Sequence, residues 1–225
     1  MRLINTATLQ REKFFDSQVP RCAILSYTWD TKEVSFQQLR EDLQQWRIHH
    51  EPLRDYFCDP SRPAPPLGWK KIIDCCRLAH SQGFQWVWID TCCIDKTSSA
   101  ELSEAINSMY KWYQKADVCY AFLSDFRKKD GRAGLATCRW FTRGWTLQEL
   151  LAPAKVEFYD RNMAFFGDRM ALADWIASAT GFQQHISAGR AQFMKLASHS
   201  ACSGLLAVLP RVSKTLHTAC LDCLA

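Results

Sequence analysis

The fold is decided by a short apolar stretch near the N-terminus, Cys22-Ala23-Ile24-Leu25-Ser26-Tyr27. It follows Pro20 and runs into a polar cluster, as expected of a buried parallel strand. Phe84–Asp90 is rich in aromatic and β-branched residues and has the same character. Val118–Leu123 and the shorter Val156–Tyr159 complete a set of four predicted strands.

Helical patterns alternate with these strands. Apolar residues at helical spacing predict helices over Val34–His49, Trp69–Ser81 with Gly83 at its end, Ser98–Tyr113, Trp145–Leu151 before Pro153, and from Asp168 to about Thr180. Ser98 and Glu101 stand at capping-box spacing. The proline-rich Pro60–Gly68 and the polar Arg127–Thr137 are predicted loops. Strands that alternate with helices indicate an α/β fold, with a mostly parallel sheet and helices on both faces.

Composition restricts the class of protein. The 225 residues fit one domain, and 48% hydrophobic with 23% charged residues is typical of a globular chain. The net charge of +5 is modest, and Arg127-Lys128-Lys129 is followed by Asp130, so we expect no nucleic-acid partner. No run of about 18 apolar residues occurs, so we expect no membrane span. The first residues lack the apolar core of a secretion signal, and we expect a cytoplasmic location.

Eleven cysteines raise the question of disulfides or a metal. Cys75-Cys76 and Cys92-Cys93 are adjacent pairs inside apolar segments, and adjacent cysteines bridge each other only with strain. We therefore expect free thiols. Cys220 and Cys223 form the only Cys-x-x-Cys, with no second pair at zinc spacing, so no metal site is predicted.

Polar residues follow the predicted strands, where parallel sheets bind ligands. They are Ser26 to Asp30, Asp90 to Asp95, and Ser124-Asp125. The first group allows two interpretations. It is either a turn capped by Asp30 with Trp29 as a lid over the core, or a ligand mouth in which Trp29 stacks on a planar ring. Asp95-Lys96 is interpreted as an ion pair within a turn.

Glu149 is a second candidate for chemistry. It lies one helical turn after Trp145, so the two side chains share a face. A glutamate in a short helix is usually a surface residue, but Trp140, Phe141 and Leu150 make its surroundings strongly apolar. Burial beside indole rings would raise the pKa of its carboxyl group and suit it for catalysis.

Four blocks in order resemble the fungal heterokaryon incompatibility (HET) domain: Ala23–Trp29, Trp88–Lys96, Ser98–Met109 and Trp140–Pro153. This resemblance implies a cell-death effector, usually N-terminal in a larger receptor-like protein, with self-association and regulatory receptor-like domains as partners. It predicts a HET domain over residues 1–190. Residues 191–225 are predicted to be a divergent or truncated tail, because the family's usual closing blocks are absent, and we hypothesise a shifted reading frame there.

HET domains in turn resemble TIR domains, which implies a TIR-like (flavodoxin-like) fold with HET-specific insertions. The strand that enters Ser26-Tyr27, the strand that leads to Asp90, and the helix with Trp145, Glu149 and Leu150 carry this similarity. It implies NAD as substrate, with no further cofactor and Glu149 as the catalytic residue. The substrate-binding residues would be Ser26, Tyr27, Trp29, Asp30, Asp90 and Trp145. Many TIR domains are adaptors, so a non-catalytic module that recruits partners is the alternative.

Overall fold

The computed structural model describes residues 1–15, 17–45, 65 and 68–180. The strands are β1 (Arg2–Asn5), β2 (Arg11–Lys13), β3 (Cys22–Tyr27), β4 (Trp86–Trp88), β5 (Val118–Phe122), β6 (Val156–Tyr159) and β7 (Phe165–Asp168). The helices are α1 (Phe36–Gln45), α2 (Trp69–Ser81), α3 (Asp90–Cys93), α4 (Ser99–Lys115), α5 (Gly131–Ala136), α6 (Thr146–Leu151) and α7 (Ala173–Thr180). Short 3-10 helices cover Lys128–Asp130 and Arg139–Thr142.

The seven strands form one mixed sheet in the order β2-β1-β4-β3-β5-β6-β7. β3 and β4 pair in parallel, with Cys22 opposite Trp86 and Ile24 opposite Trp88. β1 pairs antiparallel with β2 and with β4, and β6 pairs antiparallel with β7. The predicted α/β class is therefore confirmed, and the antiparallel pairs come from the strands β1, β2 and β7 that the sequence pattern did not reveal.

The chain separates into two compact units. The first unit consists of Met1–Leu25 and Trp29–Cys119. The second unit consists of Ser26–Thr28 and, in its described part, residues 120–180. The last residues of β3 thus belong to the second unit, while the rest of that strand belongs to the first.

Apolar strands and one face of α2 form the core of the first unit. Ala23, Ile24 and Val87 are fully buried, because both faces of these strands are covered. The edges of Trp112 and Tyr113 pack against the Trp88 ring, at centroid distances of 5.7 and 5.9 Å.

The cysteines belong to these cores as free thiols. The described ones are free and buried: Cys22, Cys75, Cys76, Cys92, Cys93, Cys119 and Cys138. Burial raises the pKa of Cys22 and of Cys93 to about 12, so each stays a neutral thiol and packs as a small apolar group. The expectation of free thiols is confirmed for them, whereas Cys220 and Cys223 lie outside the described residues.

Several predicted boundaries hold. α2 covers Trp69–Ser81 as predicted, and Gly83 follows with a φ of 81°, a conformation that favours glycine at a helix end. The Ser98 hydroxyl accepts the Glu101 N–H at 3.4 Å and caps α4. The carboxylate of Glu101 accepts the Asp95 N–H rather than that of Ser98, so only half of the capping box forms.

Other boundaries differ. The strand predicted over Phe84–Asp90 is only Trp86–Trp88, and Asp90 begins helix α3 instead of ending a strand. The helix predicted over Val34–His49 covers Phe36–Gln45, and residues 46–49 lie outside the described part, as do most of Pro60–Gly68 and the tail 191–225.

The loop predicted over Arg127–Thr137 is wrong. A 3-10 turn and helix α5 fill this segment and bury Leu135 completely. The Asp130 carboxylate accepts the Arg127 N–H at 2.9 Å and starts the turn. Gly134 is required by packing, because a Cβ there would lie 2.5 Å from Cβ of Asp130.

The last helix also differs from its prediction. Asp168 ends strand β7, and its carboxylate accepts the N–H groups of Met170 and Ala171 at 2.9 and 2.8 Å. Helix α7 begins only at Ala173. None of the described helices is long and apolar enough to cross a membrane.

Candidate functional site

A buried hydrogen-bonded chain in the second unit joins Trp140, Ser26 and Glu149. The Ser26 hydroxyl donates to Oε2 of Glu149 at 2.5 Å, and the Trp140 indole N–H donates to Oγ of Ser26 at 2.7 Å. An indole N–H can only donate, so it engages a lone pair of the hydroxyl. The proton of Ser26 is therefore directed at the carboxylate.

Arg143 supplies the positive charge beside this carboxylate. Its Nη1 lies 3.7 Å from Oε2 of Glu149 and also donates to the Tyr27 carbonyl. Arg143 is partly exposed, whereas the Glu149 residue is only 4% exposed. A buried carboxylate requires such partners, because an unpaired charge is costly away from water.

Local structure explains why these groups converge. Ser26 lies near the carboxyl end of β3 and Glu149 is on α6, while a 3-10 helix places Trp140. The Thr146 hydroxyl, at the first residue of α6, donates at close range to the Trp140 carbonyl. Trp140 is fully buried, with the edges of Phe141 and Phe158 at centroid distances of 4.9 and 5.7 Å. Packing in the aromatic core thus fixes the position of the Trp140 indole N–H, and the end of β3 fixes the position of the Ser26 hydroxyl.

The other predicted residues of this unit lie close to the cluster in the chain and make contacts of their own. Tyr27 is buried, and its backbone carbonyl accepts a hydrogen bond from the Arg143 guanidinium. Trp145 is half-buried just before α6, where its carbonyl accepts the Gln148 N–H at 3.1 Å. Ser124-Asp125 follows β5, and Asp125 accepts the Cys138 thiol and the Arg139 N–H, both at 2.9 Å.

In the described part of the second unit, three polar groups are buried without a hydrogen-bond partner: Oγ1 of Thr28, Oγ of Ser124 and Nε2 of Gln148. Buried polar groups are nearly always paired, so such groups call for an explanation. Gln148, Trp140 and Arg143 were not predicted from the sequence as site residues. Their position in the block that contains Glu149 was the only sequence feature that could have indicated them.

A second cluster of predicted residues lies in the first unit. The Trp29 indole N–H donates to Oδ2 of Asp90 at 2.6 Å, and Nζ of Lys96 lies 3.5 Å from the centroid of the Trp29 ring. Asp95 and Lys96 do not form the expected ion pair. Asp95 instead accepts the Thr97 hydroxyl and N–H, at 2.6 and 3.0 Å, which lowers its pKa.

Asp30 is exposed and its carboxylate accepts the Thr31 N–H at 2.7 Å, as in a simple turn. The Asp30 N–H donates to Glu33, whose other carboxylate oxygen lies 2.5 Å from Nζ of Lys71. Burial lowers the pKa of Lys71, and Glu33 opposes that shift. Among the described residues, no group of three or more histidine, cysteine or carboxylate side chains is arranged to hold a metal ion.

Comparison with known proteins gives one consistent family. The family model "Heterokaryon incompatibility protein (HET)" matches residues 23–137, which include Ser26 and Asp90 and end before Glu149. "Vegetative incompatibility protein HET-E-1" of Podospora anserina is 42% identical over 174 residues, which are 73% of this chain and 11% of that protein. The chain thus spans about one-tenth of this relative. No solved structure matches.

Proposed function

Because the chain belongs to the heterokaryon incompatibility (HET) family, we propose that it is the effector part of a fungal incompatibility protein and acts by hydrolysing NAD, with Glu149 as the catalytic carboxylate. The observation that carries the proposal is the buried contact of 2.5 Å between the Ser26 hydroxyl and Glu149. This contact joins the one carboxylate of α6 to a serine near the carboxyl end of strand β3. Parallel α/β sheets bind ligands at the carboxyl ends of their strands.

The chemistry needs little more than one positioned carboxylate. When the nicotinamide–ribose bond breaks, its electron pair neutralises the ring nitrogen, and nicotinamide leaves without needing a proton. Positive charge develops on the ribose, and a nearby carboxylate stabilises it. Water then forms a bond to the anomeric carbon and releases a proton, so that NAD and water give ADP-ribose, nicotinamide and a proton.

In this mechanism the neighbours of Glu149 hold it rather than react. Ser26 and Arg143 fix Oε2, and Trp140 fixes the direction of the Ser26 hydroxyl. A carboxylate fixed in a site of low polarity interacts with a developing charge more strongly than one in water.

One observation favours a second function, that of a non-catalytic module acting by self-association or by binding receptor-like partners. Glu149 is only 4% exposed, and Ser26 and Arg143 already engage its carboxylate. These are also the properties of a residue that only stabilises the fold. In this alternative, the cluster stabilises the second unit and cell death follows from assembly.

The two functions are separated by the variant Glu149→Gln, whose amide oxygen can still accept the Ser26 hydroxyl. The purified chain is incubated with NAD over a range of protein concentrations, and nicotinamide is measured by chromatography. The matched control is Glu157→Gln, because Glu157 is also buried in the second unit, at 7% exposure, and accepts the Tyr159 hydroxyl at 2.6 Å.

The proposal expects nicotinamide release by the original chain and by Glu157→Gln, and its loss in a folded Glu149→Gln protein. Equal release by Glu149→Gln would overturn the assignment of Glu149. If fungal cells that express Glu149→Gln die as fast as cells that express the original chain, the association module is the better account.

A further inference from the structure

We infer that Gln148, Thr28 and Ser124 form a recognition set that binds the hydroxyl groups of a sugar, the ribose in the case of NAD. The inference deepens the proposed function and rests on it for the identity of the substrate. Its basis is independent, because it starts from buried groups that have no partner within the protein.

The three groups all belong to the second unit. Thr28 follows β3 directly, and Ser124 follows β5, the neighbour of β3 in the sheet. At the opposite end of these strands the Asp117 N–H donates to the Cys22 carbonyl at 3.0 Å, so both strands begin at the same edge and run in the same direction. Their carboxyl ends, and with them Thr28 and Ser124, share the other edge.

Hydrogen bonds among the neighbours of these residues link the segment of Gln148 to the segments of Thr28 and Ser124. Gln148 precedes Glu149, which bonds to Ser26, and Ser26 is two residues before Thr28. On the other side Asp125, next to Ser124, holds the N–H of Arg139, and the adjacent Trp140 donates to Ser26. Gln148, Thr28 and Ser124 are therefore each one or two residues away in the chain from Glu149, Ser26 or Asp125, which take part in these hydrogen bonds.

The chemistry of the set indicates what it binds. It offers two hydroxyl groups, which both donate and accept, and one amide N–H donor. All three are neutral, and Arg143, a cation in this set of contacts, is already committed to Glu149 and the Tyr27 carbonyl. Neutral groups that donate and accept match sugar hydroxyls, whereas a phosphate would require a free cation or several backbone N–H groups.

Burial strengthens the argument for Gln148. The residue is 8% exposed, yet its Nε2 has no acceptor. A buried amide donor without a partner lowers stability, and it is retained where a ligand or a bound water supplies the acceptor. A ligand and a bound water can be told apart with variants that keep the shape of the side chain and remove its polar atom, because only loss of a ligand contact weakens ligand binding.

The test uses Gln148→Met, Thr28→Val and Ser124→Ala, each made in the Glu149→Gln chain so that NAD is not consumed. Binding of NAD, ADP-ribose and nicotinamide is measured by calorimetry, and thermal unfolding is measured without ligand. We expect each variant to weaken binding of NAD and ADP-ribose about fivefold or more, since one hydrogen bond is lost. Nicotinamide, which has no sugar, should show no such loss.

The unfolding temperature shows whether the three groups bind a ligand or only stabilise the free protein. Removing a buried group that has no partner in the free protein should leave the unfolding temperature unchanged or higher. A lower unfolding temperature together with unchanged ADP-ribose binding would mean that the groups only hold water, and would overturn the inference. Absence of ADP-ribose binding by the Glu149→Gln chain at millimolar concentration would overturn it as well.

The two proposals fail in distinguishable ways. If the Glu149→Gln chain binds ADP-ribose through these groups but the original chain releases no nicotinamide, the hydrolysis proposal fails and the recognition set remains. If the original chain hydrolyses NAD, and Gln148→Met, Thr28→Val and Ser124→Ala made in that chain leave KM unchanged, the recognition set fails and hydrolysis remains.

Discussion

The Ser26 hydroxyl lies 2.5 Å from Oε2 of Glu149, although 123 positions separate the two residues along the chain. The bond joins the end of strand β3 to helix α6 inside the second unit. Because Trp140 donates to the same hydroxyl, Ser26 both accepts and donates and is central to the cluster. Substitution of Ser26 or Trp140 should therefore lower the stability of the protein by removing these hydrogen bonds.

Replacing Ser26 with alanine should destabilise the protein. Ser26→Ala leaves the Trp140 N–H without an acceptor and removes a donor from a buried carboxylate, so we expect a loss of about 1–3 kcal/mol in the free energy of unfolding. Urea denaturation measures it. The control is Ser103→Ala on the exposed side of α4, which should change little. Equal stability of the two variants would contradict the structural role of Ser26.

The indole N–H of Trp140 can be tested against that of Trp88. Both tryptophans are essentially fully buried, but Trp140 donates to Ser26 and the Trp88 N–H has no partner. Trp140→Phe and Trp88→Phe leave similar gaps, so the difference between them isolates the hydrogen bond. We expect Trp140→Phe to be less stable than Trp88→Phe by about 1 kcal/mol in denaturation. The reverse order would be incompatible with the hydrogen bond from Trp140 to Ser26.

Lys71 should make stability depend on pH in the alkaline range. Burial lowers its pKa from 10.5 in the folded protein, so the folded state releases this proton before the unfolded state does. The unfolded state then binds more protons, and the contribution of Lys71 to the free energy of unfolding rises with pH up to about its unfolded pKa. We expect Lys71→Met to remove this rise in the alkaline range below pH 10.5.

The control for this measurement is Lys70→Met. Lys70 is a largely exposed neighbour on the same helix and pairs with Asp74. Its variant should follow the original pH curve. A curve for Lys71→Met that runs parallel to that of the original chain would show that Lys71 does not titrate as its burial requires.

Two glycines with positive φ should differ in their tolerance of alanine. Gly83, with φ of 81°, has open space where a Cβ would stand, so Gly83→Ala should cost only the backbone strain, about 1–2 kcal/mol. At Gly68, with φ of 97°, a Cβ would lie 2.2 Å from the Lys32 carbonyl oxygen. Gly68→Ala should therefore lower the unfolding temperature considerably more than Gly83→Ala. Similar unfolding temperatures would refute this close approach.

Local patterns predicted the elements that bury a regular face. Helix α2 was predicted to its last residue, because its apolar positions recur at helical spacing and Gly83 follows. Strands β2 and β7 were missed, since each is short, lies at a sheet edge and is partly exposed, so no alternation marks it. Helix α5 was missed because its glycines resemble those of a loop, although Gly134 is needed for close packing.

The sequence alone determined the alternation of strands and helices, the free buried thiols and the membership of the HET family, because these depend on the order and periodicity of residues. It also indicated Ser26 and Glu149 separately as candidates. Only the tertiary structure decided that they share a hydrogen bond, that Trp140 directs it, and that Gln148, Thr28 and Ser124 are buried without partners. Such pairings join residues distant in the chain, and they depend on packing that no local pattern encodes.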